Sequence, residues 1–481
     1  MEEIATSTEA SSARPPNTER ASGFIPWRGA LRHRHFRIVW IAAFGSSLGT
    51  WMETVGIQWV LMEVTLDKAW IDSGKPSAPI MQGYLAVAQL TPMLLLGLVG
   101  GIAVDRFNRK RLLILTQLLL MAVAASLTVG SALHALTPTL LMTLAAINGI
   151  VWAFNIPSWQ VLTPRLVPRE ELSNAITLNG MQFNLARALG PALGGLLMAR
   201  FGPTVMFAIN TLSFVGLIVA VARTPATPAA GSDGTHPGRQ IIEATRYALG
   251  RKGPLMLVLA SVVLCLFGTP FLRMLPIFVH DIYGKQEAMF GLLLGFMGVG
   301  AVAAVFLLRL VPTWYPKHHF IPLVLTLAGV TITGLCAADH WIVAALWITL
   351  IGVFWMWGFN STMAALQLLV PDAVRGRVMA VCNTLSFGAM ALGPVLAGGL
   401  AELVAGDSQN GFGAQVATGI LSLALVAAGL VMLTWRTPEV DGLAPGDPGY
   451  ERKPGLIRGV TAKAHRPPPL PQDPTEPAPV V

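Results

Sequence analysis

The stretch Gly101-Ile102-Ala103-Val104-Asp105-Arg106-Phe107-Asn108-Arg109-Lys110-Arg111 sets one acid and four bases between two long apolar runs. A loop this short and this basic stays on the cytoplasmic face when a chain inserts into a membrane, because loops rich in Lys and Arg are not carried across. The reading fixes both the class of protein and the orientation of its first spans. Gly101 lets two helices approach closely. Asp105 with Arg106, Arg109 and Lys110 makes a charged latch that can break and re-form, a candidate conformational gate.

Composition agrees with a membrane setting. The chain has 481 residues, 53% of them hydrophobic and only 12% charged, with a mean hydropathy of +0.60, which a water-soluble fold does not tolerate. Each crossing takes about 20 apolar residues. Twelve such runs are found, at 38–62, 80–104, 112–133, 139–162, 174–198, 204–222, 254–279, 288–308, 320–338, 341–369, 378–401 and 413–435. The expectation is an all-α membrane protein of twelve transmembrane helices.

The formal charge of +8 invites a nucleic-acid reading, and the placement of the 33 Lys and Arg argues against it. Lys68, Lys75, Arg200 and Lys285 fall in odd-numbered loops, and Arg187 and Arg273 fall inside spans. All the rest lie before the first span, in the even-numbered loops or after the last span. The positive-inside rule accounts for the excess and places both termini in the cytoplasm. No basic cluster is interleaved with aromatics as a nucleic-acid groove requires. Met1 to Gly23 has no apolar core, so no cleavable signal peptide is expected. Cys265, Cys336 and Cys382 sit singly inside spans and read as small apolar packers, neither a disulfide framework nor a metal set.

The chain repeats itself. Leu166-Val167-Pro168 returns as Leu369-Val370-Pro371, and Ala188-Leu189-Gly190-Pro191 returns as Ala391-Leu392-Gly393-Pro394, a shift of 203 residues (369 less 166) with no gap. The organisation expected is a cytoplasmic segment 1–37, a six-helix bundle 38–223, a cytoplasmic linker 224–252, a second six-helix bundle 253–436, and a disordered Pro-rich cytoplasmic tail 437–481. Within the repeat, Gly190, Pro191, Gly194 and Gly195, echoed by Gly393 and Pro394, form a helix-packing motif. Small residues let helices meet closely in lipid, and Pro removes a backbone donor so that a helix can bend.

These strings resemble a known superfamily. The loop from Gly101 follows the G-x-x-x-D-R-x-x-R-K pattern between spans 2 and 3 of the major facilitator superfamily, with Asn108 where a Gly is expected, a residue that still tolerates left-handed backbone. Gly190-Pro191-Ala192-Leu193-Gly194-Gly195 is similar to the GPxxGG element of its antiporters, with Ala186 in place of the upstream Gly. Phe36-Arg37, Ser47-Leu48-Gly49-Thr50-Trp51-Met52, Asn174-Ala175 and Asn184 to Pro191 resemble the drug- and siderophore-exporting branch called transmembrane secretion effectors, which includes macrolide and enterobactin exporters. The resemblance implies the major facilitator fold of two six-helix repeats. It also implies an inner-membrane secondary transporter exporting a small amphipathic molecule by alternating access, with proton antiport. An importer or lysophospholipid flippase of the same fold is the alternative, and a transport-inactive receptor or scaffold a weaker one.

Three ionisable residues stand inside spans, where a charge costs several kcal/mol and usually faces a partner or a cavity: Glu53, Arg187 and Arg273. Glu53 is the candidate proton carrier, and spans 1 and 5 are neighbours in this fold, so a Glu53–Arg187 pair is expected. Gln58, Asn155 and Asn184 are candidates for the polar route beside them. The second-half counterpart of the signature loop has lost its acid, since Leu308 stands opposite Asp105, so the latch is asymmetric. No Walker loop, nucleophile elbow or metal-spaced cluster is found, and no enzymatic activity, catalytic residue, cofactor or metal is expected. The expected partners are a small-molecule substrate, protons or another coupling ion and the bilayer, with the chain acting as a monomer.

Overall fold

The computed structural model describes residues 29–162, 165–225, 245–311, 315–405 and 411–441, without the side chains of residues 98–106, 109, 160–161 and 372–373. Every regular element among these residues is helical. The first four long helices are α1 (Arg34–Leu66), α2 (Ala78–Arg106), α3 (Arg109–Ala132) and α4 (Pro138–Leu162). The run Leu172–Ala222 is two helices, α5 and α6, which meet at Gly202. Its φ of 80° and ψ of 167° suit Gly and strain a residue with a Cβ. The seventh, α7, is broken into Lys252–Gly268 and Pro270–Ile277 around Thr269, because Pro270 has no N–H to continue the ladder. Then follow α8 (Glu287–Leu307), α9 (Lys317–Cys336), α10 (Trp341–Leu369), α11 (Asp372–Ala405) and α12 (Gly411–Leu433).

Ten stretches among the described residues are long and apolar enough to cross a membrane. One of them, Arg169–Ala222, contains both α5 and α6. Helix α1 completes the twelve, and its low hydropathy follows from Ser46, Ser47, Thr50, Glu53, Thr54 and Gln58 along its length. The outward faces are apolar as lipid contact demands: Leu95, Leu212, Leu346 and Leu403 are all more than 60% exposed.

Within the first half, α1 runs alongside α5 in the same direction, Leu48 and Trp51 against Gly190 and Met52 against Gly194. It runs against α6 in the opposite direction, with Gly49 at Asn210 and Gly56 at Met206. Across the molecule, two seams join the halves. Helix α2 packs on α11, with Gly83 against Pro394 and Gly398 against Ile80, while α5 packs on α8, with Gly195 against Gly291 and Ala188 against Gly298. The Ser77 N–H and hydroxyl both donate to Glu402 Oε1, at 3.0 and 2.9 Å, and Trp59 stacks on Phe290 with ring centroids 6.0 Å apart. These contacts gather toward one end, which carries the α1–α2, α5–α6, α7–α8 and α11–α12 connections. At the opposite ends of α5 and α11, a Cβ at Gly180 or at Gly376 would meet nothing within 4 Å.

Two local readings change. Asn108 has φ −64° and ψ 111°, an extended backbone, and its Oδ1 accepts from the Arg111 N–H at 3.1 Å. It is the N-cap of α3 and makes no left-handed turn. The stretch assigned to the tail begins as packed structure: Pro438–Asp441 forms a 3-10 turn in which Val440 is buried. There Glu439 accepts from the Gly253 N–H at 3.1 Å and Asp441 pairs with His318. Residues 1–28, most of the linker and residues 442–481 lie outside the described residues.

Candidate transport site

Gly49, Glu53 and Gly56 fall on one face of α1 by helical spacing. A Cβ at Gly49 would meet Asn210 Oδ1 at 2.2 Å and one at Gly56 would meet Met206 Cε at 2.2 Å, so the two glycines admit α6 on either side of the acid. Asn210 Nδ2 consequently donates to Glu53 Oε2 at 2.5 Å. From α4, Asn148 Nδ2 donates to Glu53 Oε1 at 3.4 Å. The carboxyl is 4% exposed and held by amides alone, with no Arg or Lys in ion-pair range among the described residues. The Asn148 Oδ1 atom is buried with no hydrogen-bond partner, as are Oε1 of Gln58, Gln82 and Gln117.

Arg187 does not join Glu53. Its guanidinium lies over the Trp51 ring, 5.7 Å from the centroid, and Phe183, one turn earlier on α5, meets the same ring edge-on at 6.0 Å. The physical reason is angular: Trp51 and Glu53 are two residues apart on α1 and point to different neighbours, α5 for one, α4 and α6 for the other. A Cβ at Gly190 would meet Trp51 Cβ at 2.5 Å, so the packing glycine is what seats the Trp. Gln182 Nε2 reaches Ser47 Oγ at 3.3 Å on the same α1–α5 contact.

Arg273 stands one turn after the break in α7, and its Nη2 donates to Gln89 Oε1 of α2 at 2.8 Å, a hydrogen bond from one half to the other. Gln89 is tied in turn to α4, because its carbonyl oxygen lies where a Cβ of Gly149 would be, at 2.0 Å. The sequence neighbours Asn148 and Gly149 therefore connect the Glu53 carboxyl to the residue that holds Arg273.

The remaining expected route residues are placed as follows. Gln58 donates to the Thr54 carbonyl of its own helix at 3.1 Å, and Asn155 donates to Thr116 Oγ1 at 3.0 Å; both are 5% exposed or less, inside the first half. Asn184 bonds the Gly180 carbonyl within α5. Residues not anticipated are Asn210, Gln89 and Gln82, the last donating to the Gln58 carbonyl at 2.6 Å. Asn210 had a signal, being the one side-chain amide in α6. Of the gate set, Lys110 Nζ donates to the Ala222 and Thr224 carbonyls at 2.7 and 2.5 Å, capping the end of α6 within its own half. The side chains of Asp105, Arg106 and Arg109 and the surroundings of Gly101 lie outside the described residues.

The packing motif works on two faces. Gly190 and Gly194 seat α1 in their own half, while Gly195 and the Pro191 carbonyl meet Gly291 of the other. The repeat does likewise: Gly393 meets the Leu266 carbonyl of α7, and Pro394 meets Gly83 of α2.

Comparison with known proteins places this architecture. The sequence matches the family described as "Transmembrane secretion effector" over residues 22–453. It is 22% identical over 341 residues to the staphyloferrin A transporter of Staphylococcus aureus, covering 69% of this chain and 81% of that one. It is 26% identical over 408 residues to the enterobactin exporter EntS of Escherichia coli O127:H6, covering 82% and 92%. Among solved structures, a D-xylose-proton symporter superposes with a TM-score of 0.64 at 16% identity, over 85% of this chain and 100% of that one. A bacterial homolog of the human lysosomal transporter Spinster superposes at 0.63 and 13%, over 83% and 96%. These proteins are transporters, and the chain is a multi-pass membrane protein of the same fold. It belongs to the transmembrane secretion effector family of the major facilitator superfamily.

Proposed function

We propose that this protein is a secondary active exporter that moves a small amphipathic molecule from the cytoplasm by alternating access, driven by protons entering through Glu53. The observation that carries the reading is the Glu53 environment: an acid inside a span, 4% exposed, with two amide donors and no counter-charge among the described residues. A carboxylate so placed is costly to keep charged, and a proton is the counter-charge that alternating access can deliver and remove. Asn148 suits both forms. Its Nδ2 donates to the carboxylate, and a half-turn of the amide would offer the unpartnered Oδ1 to a protonated Glu53. Movement of Asn148 is passed through Gly149 to Gln89, and so to the Arg273 bond that joins the halves.

The charge distribution supports cytoplasmic termini, so that the end opposite the Ser77–Glu402 contact faces the cytoplasm and admits cargo there. Relatives named for staphyloferrin A and enterobactin support a small-molecule cargo. Everted vesicles test the proposal. Wild type should accumulate substrate when a proton gradient is imposed and lose it with a protonophore, and Glu53→Gln should lose gradient-driven accumulation while keeping substrate counterflow. Undiminished accumulation by Glu53→Gln would remove the carrier role. Accumulation only in right-side-out vesicles would replace export by import.

A further inference from the structure

We propose that Asn210 is the positioning residue of Glu53: it anchors one carboxyl oxygen, Oε2, to α6 as a donor only, so that the proton seats on the other, Oε1, facing Asn148 of α4. The proposal rests on the coupling reading and deepens it, naming the atom that takes the proton and the helix that handles it. An ionised carboxyl accepts at both oxygens, and each oxygen here has one amide donor, Asn210 Nδ2 on Oε2 and Asn148 Nδ2 on Oε1. In the protonated form one oxygen becomes a donor and needs an acceptor, because a buried O–H left without one is costly. One of the two amides must then turn over.

The two are not equally free to turn. Asn210 is fully buried, and Ser213 Oγ donates both to its Oδ1 at 3.3 Å and to its main-chain carbonyl at 2.7 Å. The same Oδ1 fills the space beside Gly49, where a Cβ would meet it at 2.2 Å, so a turned amide would press its NH2 against the α1 backbone. Turning it would also break the shorter bond to the acid, 2.5 Å against 3.4 Å for Asn148. Asn148 has only that long bond to lose, and its Oδ1 is buried without a hydrogen-bond partner. No charge overrides the amides. Helices α4 and α6 contain no Asp, Glu, Lys, Arg or His. Arg187 of α5 lies over Trp51, Arg273 of α7 is bonded to Gln89 of α2, and Asp105 and Glu287 stand at the ends of α2 and α8. The roles therefore divide by helix. Helix α6 holds the acid in place, and α4, whose Gly149 packs on Gln89, changes its contacts with the proton.

Infrared difference spectra of the detergent-purified full chain, taken between acidic and neutral pH, test the assignment without substrate or gradient. The C=O band of protonated Glu53 is the one absent from Glu53→Gln. With the proton on Oε1, Oε2 is the carbonyl oxygen, and a hydrogen bond to a carbonyl oxygen lowers its stretching frequency. Asn210→Leu should therefore move the band to higher frequency, and further than Asn148→Leu does. Should Asn210→Leu fail to fold, Ser213→Ala decides, with a band broadened toward higher frequency as the Asn210 amide is freed. A larger shift in Asn148→Leu, an unmoved band in the deciding variant, or no Glu53-dependent band at all would overturn the proposal. The coupling reading fails separately. If the bands shift as expected while Glu53→Gln vesicles keep full proton-driven accumulation, the proton seat stands and the carrier role falls. If that accumulation is lost while Asn148→Leu gives the larger shift, the carrier role stands and the seat falls.

Discussion

The carbonyl oxygen of Pro191 on α5 lies against Gly291 on α8 so closely that a Cβ on Gly291 would meet it at 2.4 Å. Its counterpart in the repeat, the carbonyl of Pro394, faces Gly83 of α2 at 2.8 Å from the same virtual atom. One duplicated motif thus builds both seams between the halves, and each seam tolerates no side chain at its glycine. In the exporter reading the end joined by these seams faces outward, and there the glycines would set how stable its closed state is.

Replacing Gly291 by Leu should therefore open the outer end. On a background with Cys265, Cys336 and Cys382 replaced, a cysteine at Ile80, which packs on Gly398 in the other seam, should label with a membrane-impermeant maleimide several-fold faster when Gly291→Leu is present. An unchanged labelling rate would mean that the seams do not govern closure.

The Ser77–Glu402 contact is the polar part of the same closure, one carboxylate oxygen accepting from both the N–H and the hydroxyl of Ser77. Glu402→Ala should shift the balance toward the outward-open form by about 1 kcal/mol, roughly five-fold in population, since partial exposure discounts a charge-assisted bond. The same maleimide assay reads it, and Glu402→Gln, which keeps an acceptor, should fall between.

Much of this architecture was legible in the chain, and the pairing missed at Glu53 has an angular cause. The twelve spans and the duplication follow from composition and repetition, which depend on no partner. Which face each residue presents depends on angles. Spans 1 and 5 do pack together, yet Glu53 shares its face with Gly49 and Gly56 and turns to α6, while Arg187 meets Trp51. The Gly49-Glu53-Gly56 spacing was present in the sequence, and so was Asn210, the amide of α6; joining them needed the pairing of α1 with α6. Asn108 was readable as an N-cap from the helix that starts at Arg109. The partners of Lys110 were not, because the end of α6 is remote in sequence.

Asn148→Leu should separate coupling from transport. It removes both the Nδ2 donor and the unpartnered Oδ1 beside Glu53, so gradient-driven accumulation should drop by about 10-fold while counterflow stays within about two-fold. Equal losses in the two assays would assign Asn148 to packing.

The signature loop should divide by residue. Lys110→Ala removes a cation from the last carbonyls of α6 and should cost about 0.5–1 kcal/mol of stability with little effect on turnover. Asp105→Asn should lower turnover and leave substrate affinity intact, if the acid is a gate component as the resemblance implies. A turnover defect in Lys110→Ala as large as that of Asp105→Asn would return Lys110 to the gate.

The C-terminal end offers a pair of truncations that differ by five residues. Pro438–Asp441 packs on α7, α9 and α10 of the second half. Glu439 caps Gly253 of α7, Asp441 accepts from the Lys317 N–H at 2.5 Å and pairs with His318 on α9, and Thr437 reaches Met256 Sδ at 3.3 Å. Ending the chain at Arg436 exposes Val440's site and leaves these donors without partners, a loss of about 3 kcal/mol from one buried aliphatic side chain and two or three hydrogen bonds. Ending it after Asp441 removes none of them. The first truncation should lower the unfolding temperature and the yield of monodisperse protein, and the second should match the full chain in both and in transport. A transport-inactive scaffold acting through its Pro-rich tail would show the reverse pattern, with function lost at the second truncation and stability untouched.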